Sequence, residues 1–415
     1  MKKWIAVWSV IIIMATITGG CAPEQKQDPD NVWEDEIITV YQSKAKGGVA
    51  CPRLYTLQDN TLLCSFDAND DAGGYSVIKV VRSTDDGRTW STDTVVSSTP
   101  DRICANGTIF QLDSGEILVA YRANIGTDGK AETHPRHTAI KVSISRDNGY
   151  TWEEHSTVIS YENNEGGVYE PCFVEIGGVP TLFYANDSVG PLDQLGTGKN
   201  ADGTDQAAVT SLDYQNIEYI QLIDGKWQNR TIVCNGMNSG SRDGMPGVTQ
   251  LKDGSWMVAY EANNAGGKYP FVLRYKISPD GLTWDTSPAS GRGELLHSPT
   301  LAGRKDSGPA LVTLPNGRIF CGFQTDEQAN QAGDAFQTMR VMVSLGDTAE
   351  SLEDSENWGP VYDVFETPPI YNSFWNGVAV HGEYAYAITS TNYPSNSIRL
   401  RRAVLSRFVE AQNPS

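Results

Sequence analysis

Residues 83–90 read STDDGRTW, residues 145–152 read SRDNGYTW, and residues 278–284 read SPDGLTW. A short phrase recurring three times describes a repeated piece of backbone. Asp accepts hydrogen bonds from amides just ahead of it, and Gly admits positive φ, so the phrase encodes a tight turn. Each copy follows a β-rich run, SVIKVVRS, TAIKVSIS or FVLRYKIS, and ends on Trp90, Trp152 or Trp284. The phrase is expected as an outer turn after a third strand, its Trp packing between layers. That makes it a structural staple and moves the chemistry elsewhere.

Working outward, the chain holds six longer units. CPRLYTLQDNTLLCSFD (51–67), NGTIFQLDSGEILVAYR (106–122), EPCFVEIGGVPTLFYAN (170–186), MPGVTQLKDGSWMVAYE (245–261), GPALVTLPNGRIFCGFQ (308–324) and FWNGVAVHGEYAYAITS (374–390) share one pattern. Each is an alternating run, a turn rich in Asp, Asn or Gly, and a second β-rich run, which is a hairpin signature. A third run follows every hairpin; the remaining three are IEYIQLI, MRVMVSL and IRLRRAVLS. Six four-stranded units predict an all-β six-bladed β-propeller with antiparallel blades. The last unit ends without an outer strand, while EIITVYQS (36–43) is spare at the other end. The N-terminal strand is therefore expected to complete the last blade and remove an open sheet edge.

Composition agrees. A chain of 415 residues suits two or three ordinary domains or one large all-β fold. The 40 Gly and 18 Tyr favour short strands and tight turns over long helices. A formal charge of −19 argues against nucleic acid or an anionic membrane surface as partner. The six cysteines after residue 21 (Cys51, Cys64, Cys104, Cys172, Cys234, Cys321) sit largely in apolar strand patterns and read as buried thiols, although an exported chain can form disulfides. No CxxC or Cys/His cluster suggests a metal, His134 and His137 read as loop residues, and no cofactor is expected.

The first twenty residues have the order of a signal peptide: Lys2 and Lys3, an apolar run from Trp4 to Ile17, then small residues before Cys21. Cys21 in that place resembles the lipidated cysteine of a bacterial lipobox; a plain secretory signal with an incidental cysteine is the alternative. Residues 21–36 read as a polar, acidic tether and 37–411 as the propeller. The chain is expected as an exported lipoprotein at the periplasmic or outer-membrane surface of a bacterium, touching membrane through its lipid anchor only.

In a propeller the start of strand one and the end of strand two share a rim. Counting from the last apolar residue before each hairpin turn puts Asp67, Arg122, Asn186, Glu261, Gln324 and Ser390 at the ends of the second strands. The starts of the first strands supply Arg53, Asn106, Glu170, Asp243, Asp306 and Asn376. A polar ring around one mouth is expected to bind a ligand. Glu170 and Glu261, on neighbouring blades, have the makings of a carboxylate pair for glycoside hydrolysis, one protonated and one ionised. Salt bridges to Arg122 or Arg242 are the structural alternative.

The turn phrase resembles the Asp-box of the sialidase superfamily, whose members are six-bladed propellers, over roughly residues 40–405. SRDGMPGV (241–248) resembles the fourth-blade motif of the exo-α-1,5-L-arabinanases of glycoside hydrolase family 93. That resemblance implies an exo-acting, retaining glycosidase on an α-L-arabinan-type oligosaccharide, with Glu170 as acid/base, Glu261 as nucleophile and Arg242-Asp243 as a subsite contact. Two other readings stand beside it. CPRLY is an altered version of the sialidase arginine motif, so Arg53, Arg242 and Arg340 stand as candidates for a carboxylate-binding triad in an exo-sialidase. A non-catalytic glycan-binding surface lipoprotein would keep the mouth without the chemistry.

Overall fold

The structure is a computed structural model. It describes residues 32–410 apart from 45–46, 70–75, 98–101, 126–136, 163–165, 188–213, 237–239, 264–270, 288–292, 329–335, 337, 353–356 and 369–370. The expected signal peptide, Cys21 and His134 lie outside the described residues.

Six four-stranded antiparallel sheets follow one another along the chain. The innermost strands are β2 (Val49–Thr56), β6 (Ile103–Gln111), β10 (Val168–Ile176), β14 (Arg242–Gln250), β18 (Asp306–Thr313) and β22 (Ser373–His381). Their hairpin partners are β3 (Leu62–Ala68), β7 (Ile117–Ile125), β11 (Val179–Asn186), β15 (Trp256–Asn263), β19 (Ile319–Thr325) and β23 (Tyr384–Thr391). Third come β4 (Val77–Ser83), β8 (His137–Ser145), β12 (Asn216–Ile223), β16 (Phe271–Ser278), β20 (Thr338–Ser344) and β24 (Ser397–Val404). The second strands are buried on both faces, β3 and β19 at every residue. They therefore read as apolar runs, because each blade is sandwiched between two others. One apolar layer joins blades one and two through Leu63, Val80, Ile109 and Val119, and another joins blades two and three through Leu118, Ile140, Leu182 and Ile220. The ring closes where β2 packs on β22.

The sixth sheet runs β1-β24-β23-β22, with β1 (Ile38–Gln42) as its outer strand. Ile38 pairs with Leu400 and Gln42 with Ser397, so the N-terminal strand completes the last blade as the spare strand predicted. Docking starts earlier than the expected end of the tether at residue 36. Trp33 is 1% exposed and packs edge-on against Phe408, with Phe320 beside it. Glu34 binds the buried Arg402 at 2.6 Å. A large aromatic ring and a charge partner give these two residues a place in the propeller that a polar stretch would lack.

All three turn phrases adopt one geometry. In the second, the Thr151 amide and hydroxyl donate to the two oxygens of Asp147 at 2.8 and 2.6 Å, and Trp152 Nε1 donates to Gly149 O at 3.1 Å. Asp85 and Asp280 hold Thr89 and Thr283 likewise. The third blade replaces the phrase with a two-residue turn, Asp224-Gly225, both at positive φ. All six described cysteines are free thiols, five of them buried.

Candidate active site

Every inner strand carries a β-bulge near its start. The register shifts between Ala50 and Arg53, Ala105 and Thr108, Tyr169 and Cys172, Gly244 and Gly247, Ser307 and Ala310, and Phe374 and Gly377. The first bulged residue lies at φ between 52° and 61° in all six: Cys51, Asn106, Glu170, Met245, Gly308 and Trp375. Five of these are not glycine, so the backbone is strained around one rim, a condition found mostly at functional sites. The bulge also swings an amide out of the ladder. In four blades a side chain captures it: Asp67 Oδ1 accepts from Asn106 N at 2.9 Å, Glu170 Oε2 from Met245 N at 2.6 Å, Glu261 Oε2 from Gly308 N at 3.0 Å, and Gln324 Oε1 from Trp375 N.

This register decides which expected residues meet. Asp67, Arg122, Glu261, Gln324 and Ser390 all pair with the residue just before a bulge and share the mouth. Asn186 does not. Its hairpin turns in two residues, Ile176 pairing with Val179, where the first hairpin spans Leu57 to Thr61. Counting from the turn therefore overshoots by one, Ala185 takes the mouth position, and a one-residue slip reverses the face. Asn186 is instead fully buried behind the sheet, its Nδ2 3.1 Å from both oxygens of Glu218, which Arg230 binds at 2.7 Å.

Two further corrections concern the starts of the first strands. Asp243 lies two residues before its bulge and opposite Ala262, facing the layer behind the sheet. It is 1% exposed, accepts from Ser241 Oγ at 2.6 Å, and acts by charge on Tyr260 and Lys276. Asp306, 0% exposed, pairs with His297 at 2.7 Å. Neither carboxylate reaches the mouth. Asn376, the second bulged residue of its blade, is buried and ties the rim together, donating to Gly308 O at 3.0 Å.

Glu170 and Glu261 do come together. A methyl group on Gly244 would sit 3.1 Å from Glu170 Oε2 and 3.3 Å from Glu261 Oε1. The sum of those two legs, about 6.4 Å, is the greatest separation the two oxygens can have. Burial pushes Glu170 above the ordinary carboxylate range, against the pull of the Met245 amide and of Arg122, Arg53 and Arg242. Burial, then the charge of Glu170, pushes Glu261 up to about 7. Two carboxylates this close in a dry site hold one proton between them more readily than none.

Beside Glu170 opens a cavity of about 340 Å³, lined by Asp67, Asn106, Arg122, Phe374 and Trp375 among others. Burial raises Asp67 to about 7. Among the described residues, Asn106 Oδ1 and Arg122 Nε are buried without a hydrogen-bond partner. Arg122 stands over the Tyr169 ring at 5.6 Å. Beneath the mouth, a narrower channel of about 140 Å³ runs along the axis between all six inner strands. Arg53 lines this channel and donates to the carbonyls of Pro52 and Asn376 at 2.9 and 2.8 Å. Arg242 is 39% exposed at the rim and bonds Asp187 at 3.1 Å. Arg340 is held by Glu327 and Asp363 at 2.6 and 2.7 Å.

Residue-by-residue reading missed Ser307, whose hydroxyl donates to Glu261 Oε2, and the rim residues Cys51, Met245, Gly308 and Trp375. A signal for the bulges was present: Pro52, Pro171, Pro246 and Pro309 follow four of the six positive-φ residues. Proline cannot donate to a ladder and collects at such irregularities.

No protein-family model matches the chain, and no curated protein matches it. Solved structures do. The glycoside hydrolase family 93 α-L-arabinofuranosidase of Fusarium graminearum in complex with arabinobiose superposes with a TM-score of 0.65 at 18% identity, over 89% of this chain and 98% of that one. The Penicillium chrysogenum α-L-arabinanase complexed with arabinobiose gives 0.61 at 17%, over 89% and 98%. The NanB sialidase of Streptococcus pneumoniae gives 0.57 at 11%, over 91% and 71%. At these identities the likeness is one of fold: the chain is a six-bladed propeller of the architecture shared by arabinan-cleaving enzymes and sialidases.

Proposed function

We propose that this protein is an exo-acting, retaining glycoside hydrolase on a neutral oligosaccharide of the α-L-arabinan type, with Glu170 as acid/base and Glu261 as nucleophile. The observation that carries the reading is the approach of the two carboxylates across Gly244. The bound of about 6.4 Å on their facing oxygens is compatible with the roughly 5–5.5 Å that separates the carboxyl groups of retaining pairs. In this reading the proton shared by the pair rests on Glu170 once substrate is bound. Glu170 gives it to the glycosidic oxygen, the glycosidic C–O bond breaks and the remaining sugar leaves as an alcohol, while Glu261 Oε1 bonds to the anomeric carbon. Water, deprotonated by Glu170, then breaks that ester and returns the proton. The arabinobiose-bound enzymes of the same fold support the substrate class.

The 340 Å³ cavity serves as the terminal-sugar pocket, with Asp67, Asn106 and Arg122 as hydroxyl partners and Trp375 as an apolar wall. Two observations weigh against a sialidase. Arg53 spends its Nη1 on backbone carbonyls, and Arg340 is held by two carboxylates, so of the three candidate guanidiniums only Arg53 and Arg242 act on Glu170, with Arg122 beside them. Export as a lipoprotein anchored through Cys21 belongs to the same proposal, supported by the order of residues 2–21. Metabolic labelling with palmitate, lost in Cys21→Ala, tests it.

Incubating the pure protein with arabinan oligosaccharides and with sialyllactose tests the activity. Arabinose release that disappears in Glu261→Gln, while substrate still binds, is the expected result. Glu170→Ala should recover on a substrate whose leaving group needs no proton. Release of sialic acid would install the sialidase reading. Binding without turnover of either class would leave a glycan-binding protein.

A further inference from the structure

We infer that Ser307, oriented by Gln324, is a positioning residue that favours the ionised form of Glu261 and turns Glu261 Oε1 toward the mouth. The inference rests on the catalytic reading of Glu261 and adds a residue to it. It follows from the directions the hydrogen bonds must take. Trp375 N–H can only donate, so the atom of Gln324 it meets is Oε1. The other end of that amide is then Nε2, which donates to Ser307 Oγ at 3.1 Å. Ser307 has one proton, which it donates to Glu261 Oε2. The same oxygen accepts from Gly308 N at 3.0 Å.

Two donors converging on Oε2 leave it no room for a proton of its own. Hydrogen bonds to the charged form favour that form. Any proton on Glu261 must therefore sit on Oε1, which faces Glu170 across Gly244. The other captured bulge amides show how this junction differs. Among the described residues, Asp67 and Glu170 hold a neighbour's amide without a serine hydroxyl beside it, Asp67 having only the weaker thiol of Cys51. The backbone behind Ser307 is itself pinned: Asn376 Nδ2 donates to Gly308 O at 3.0 Å, and Arg53 donates to Asn376 O at 2.8 Å. The charged groups acting most on Glu261 are Glu170 from β10 and Lys305 just ahead of β18. Ser307 works against the first and alongside the second.

The test is a carbon-13 titration of the full chain labelled at glutamate Cδ, with the Glu261 signal identified by its loss in Glu261→Gln. Ser307→Ala should raise the Glu261 midpoint by about one unit or more, which is the scale of one charge-assisted hydrogen bond. The acidic limb of kcat/KM should move up with it, and kcat should fall by more than KM changes. Ser307→Thr, which restores the hydroxyl, should return both toward wild type. Should the alanine variant fail to fold, Ser307→Cys fills the same space with a poor donor and carries the measurement. An unmoved Glu261 titration in a folded Ser307→Ala protein overturns the inference, even with arabinan hydrolysis intact. A moved titration in a protein that cleaves no sugar upholds the Ser307 contact and discards the glycosidase reading instead.

Discussion

Glu170 and Glu261 face one another across the α-carbon of Gly244. Gly244 pairs with Glu261 in the sheet and precedes the bulge whose amide Glu170 captures. A single position without a side chain thus lets two carboxylates from neighbouring blades share one small space. Each is anchored by an oxygen of its own to the next blade, which fixes the distance between them.

Gly244→Ala should separate the pair. The new methyl would stand 3.1 and 3.3 Å from the two carboxylate oxygens, so each must give by a few tenths of an ångström. Both contacts are with the far ends of side chains, so the fold can absorb the change while the geometry cannot. Turnover should fall, by up to the roughly 10²-fold that a full ångström of misplacement costs, with a melting temperature close to wild type. A variant of full activity would detach the pair from the chemistry.

Asp67 offers a test through pH. Burial lifts it to about 7, against the lowering effect of the Asn106 amide and Arg122. The unfolded chain releases that proton near pH 3.9. Between about pH 4 and 7 the folded state therefore binds more protons than the unfolded one, and stability contributed by Asp67 declines as pH rises through that window. Asp67→Asn keeps an oxygen for the Asn106 amide and removes the charge. It should raise the melting temperature at pH 8, by a free energy on the order of a few kcal/mol at most, and change it little at pH 4. Equal gains at both pH values would show that the acid is not held neutral.

Much of this could be read from the chain because the propeller repeats. Three turn phrases and six hairpins fixed blade number, strand order and closure. The site was only partly legible. Alternation tells which residues share a face but cannot see where a bulge adds one, and six bulges sit at the rim itself. Glu170 and Asn106 were reached because they are themselves the strained residues. Asp243 and Asp306 were misassigned because they look like rim acids yet lie two residues too early. Ser307 was invisible for a different reason: its role depends on a contact between blades, which no single repeat encodes.

The turn aspartates should set the acid limit of the fold. The Thr151 hydroxyl and amide hold Asp147 down to about 2. Asp85 also lies at about 2, since slight burial is outweighed by the hydroxyl and amide of Thr89. A depressed carboxylate contributes stability that is complete above about pH 4 and is lost as pH falls through its folded value. Acid unfolding should thus steepen between about pH 4 and 2, and Asp85→Ala should flatten that limb while lowering stability at pH 7 by roughly 0.5–3 kcal/mol. Turnover per folded molecule at neutral pH should not change. Loss of activity in a folded Asp85→Ala protein would move the phrase from scaffold to chemistry.

Closure of the ring makes the sharpest stability prediction, and its boundary falls at Trp33. Arg402, 1% exposed, is the knot: its Nε binds Glu34, its Nη1 donates to Asp86 O in the first blade's turn, and its guanidinium lies over the Tyr384 ring at 4.5 Å. Trp33, Ile38, Val40 and Tyr41 are all less than a tenth exposed. Each buried side chain of this size is worth roughly 1.5–3 kcal/mol, so together they rival the ~5–15 kcal/mol that holds a typical domain folded. A truncation that stops at residue 30 retains every one of these contacts and should melt with the full chain. One that extends through Gln42 removes the outer strand of the last blade, uncovers the edge of β24 and strips Arg402 of its carboxylate. It should melt far lower and tend to aggregate through the bared edge. Arg402→Ala in the full chain should fall between the two. Identical melting temperatures for both truncations would mean that the sixth blade closes without β1.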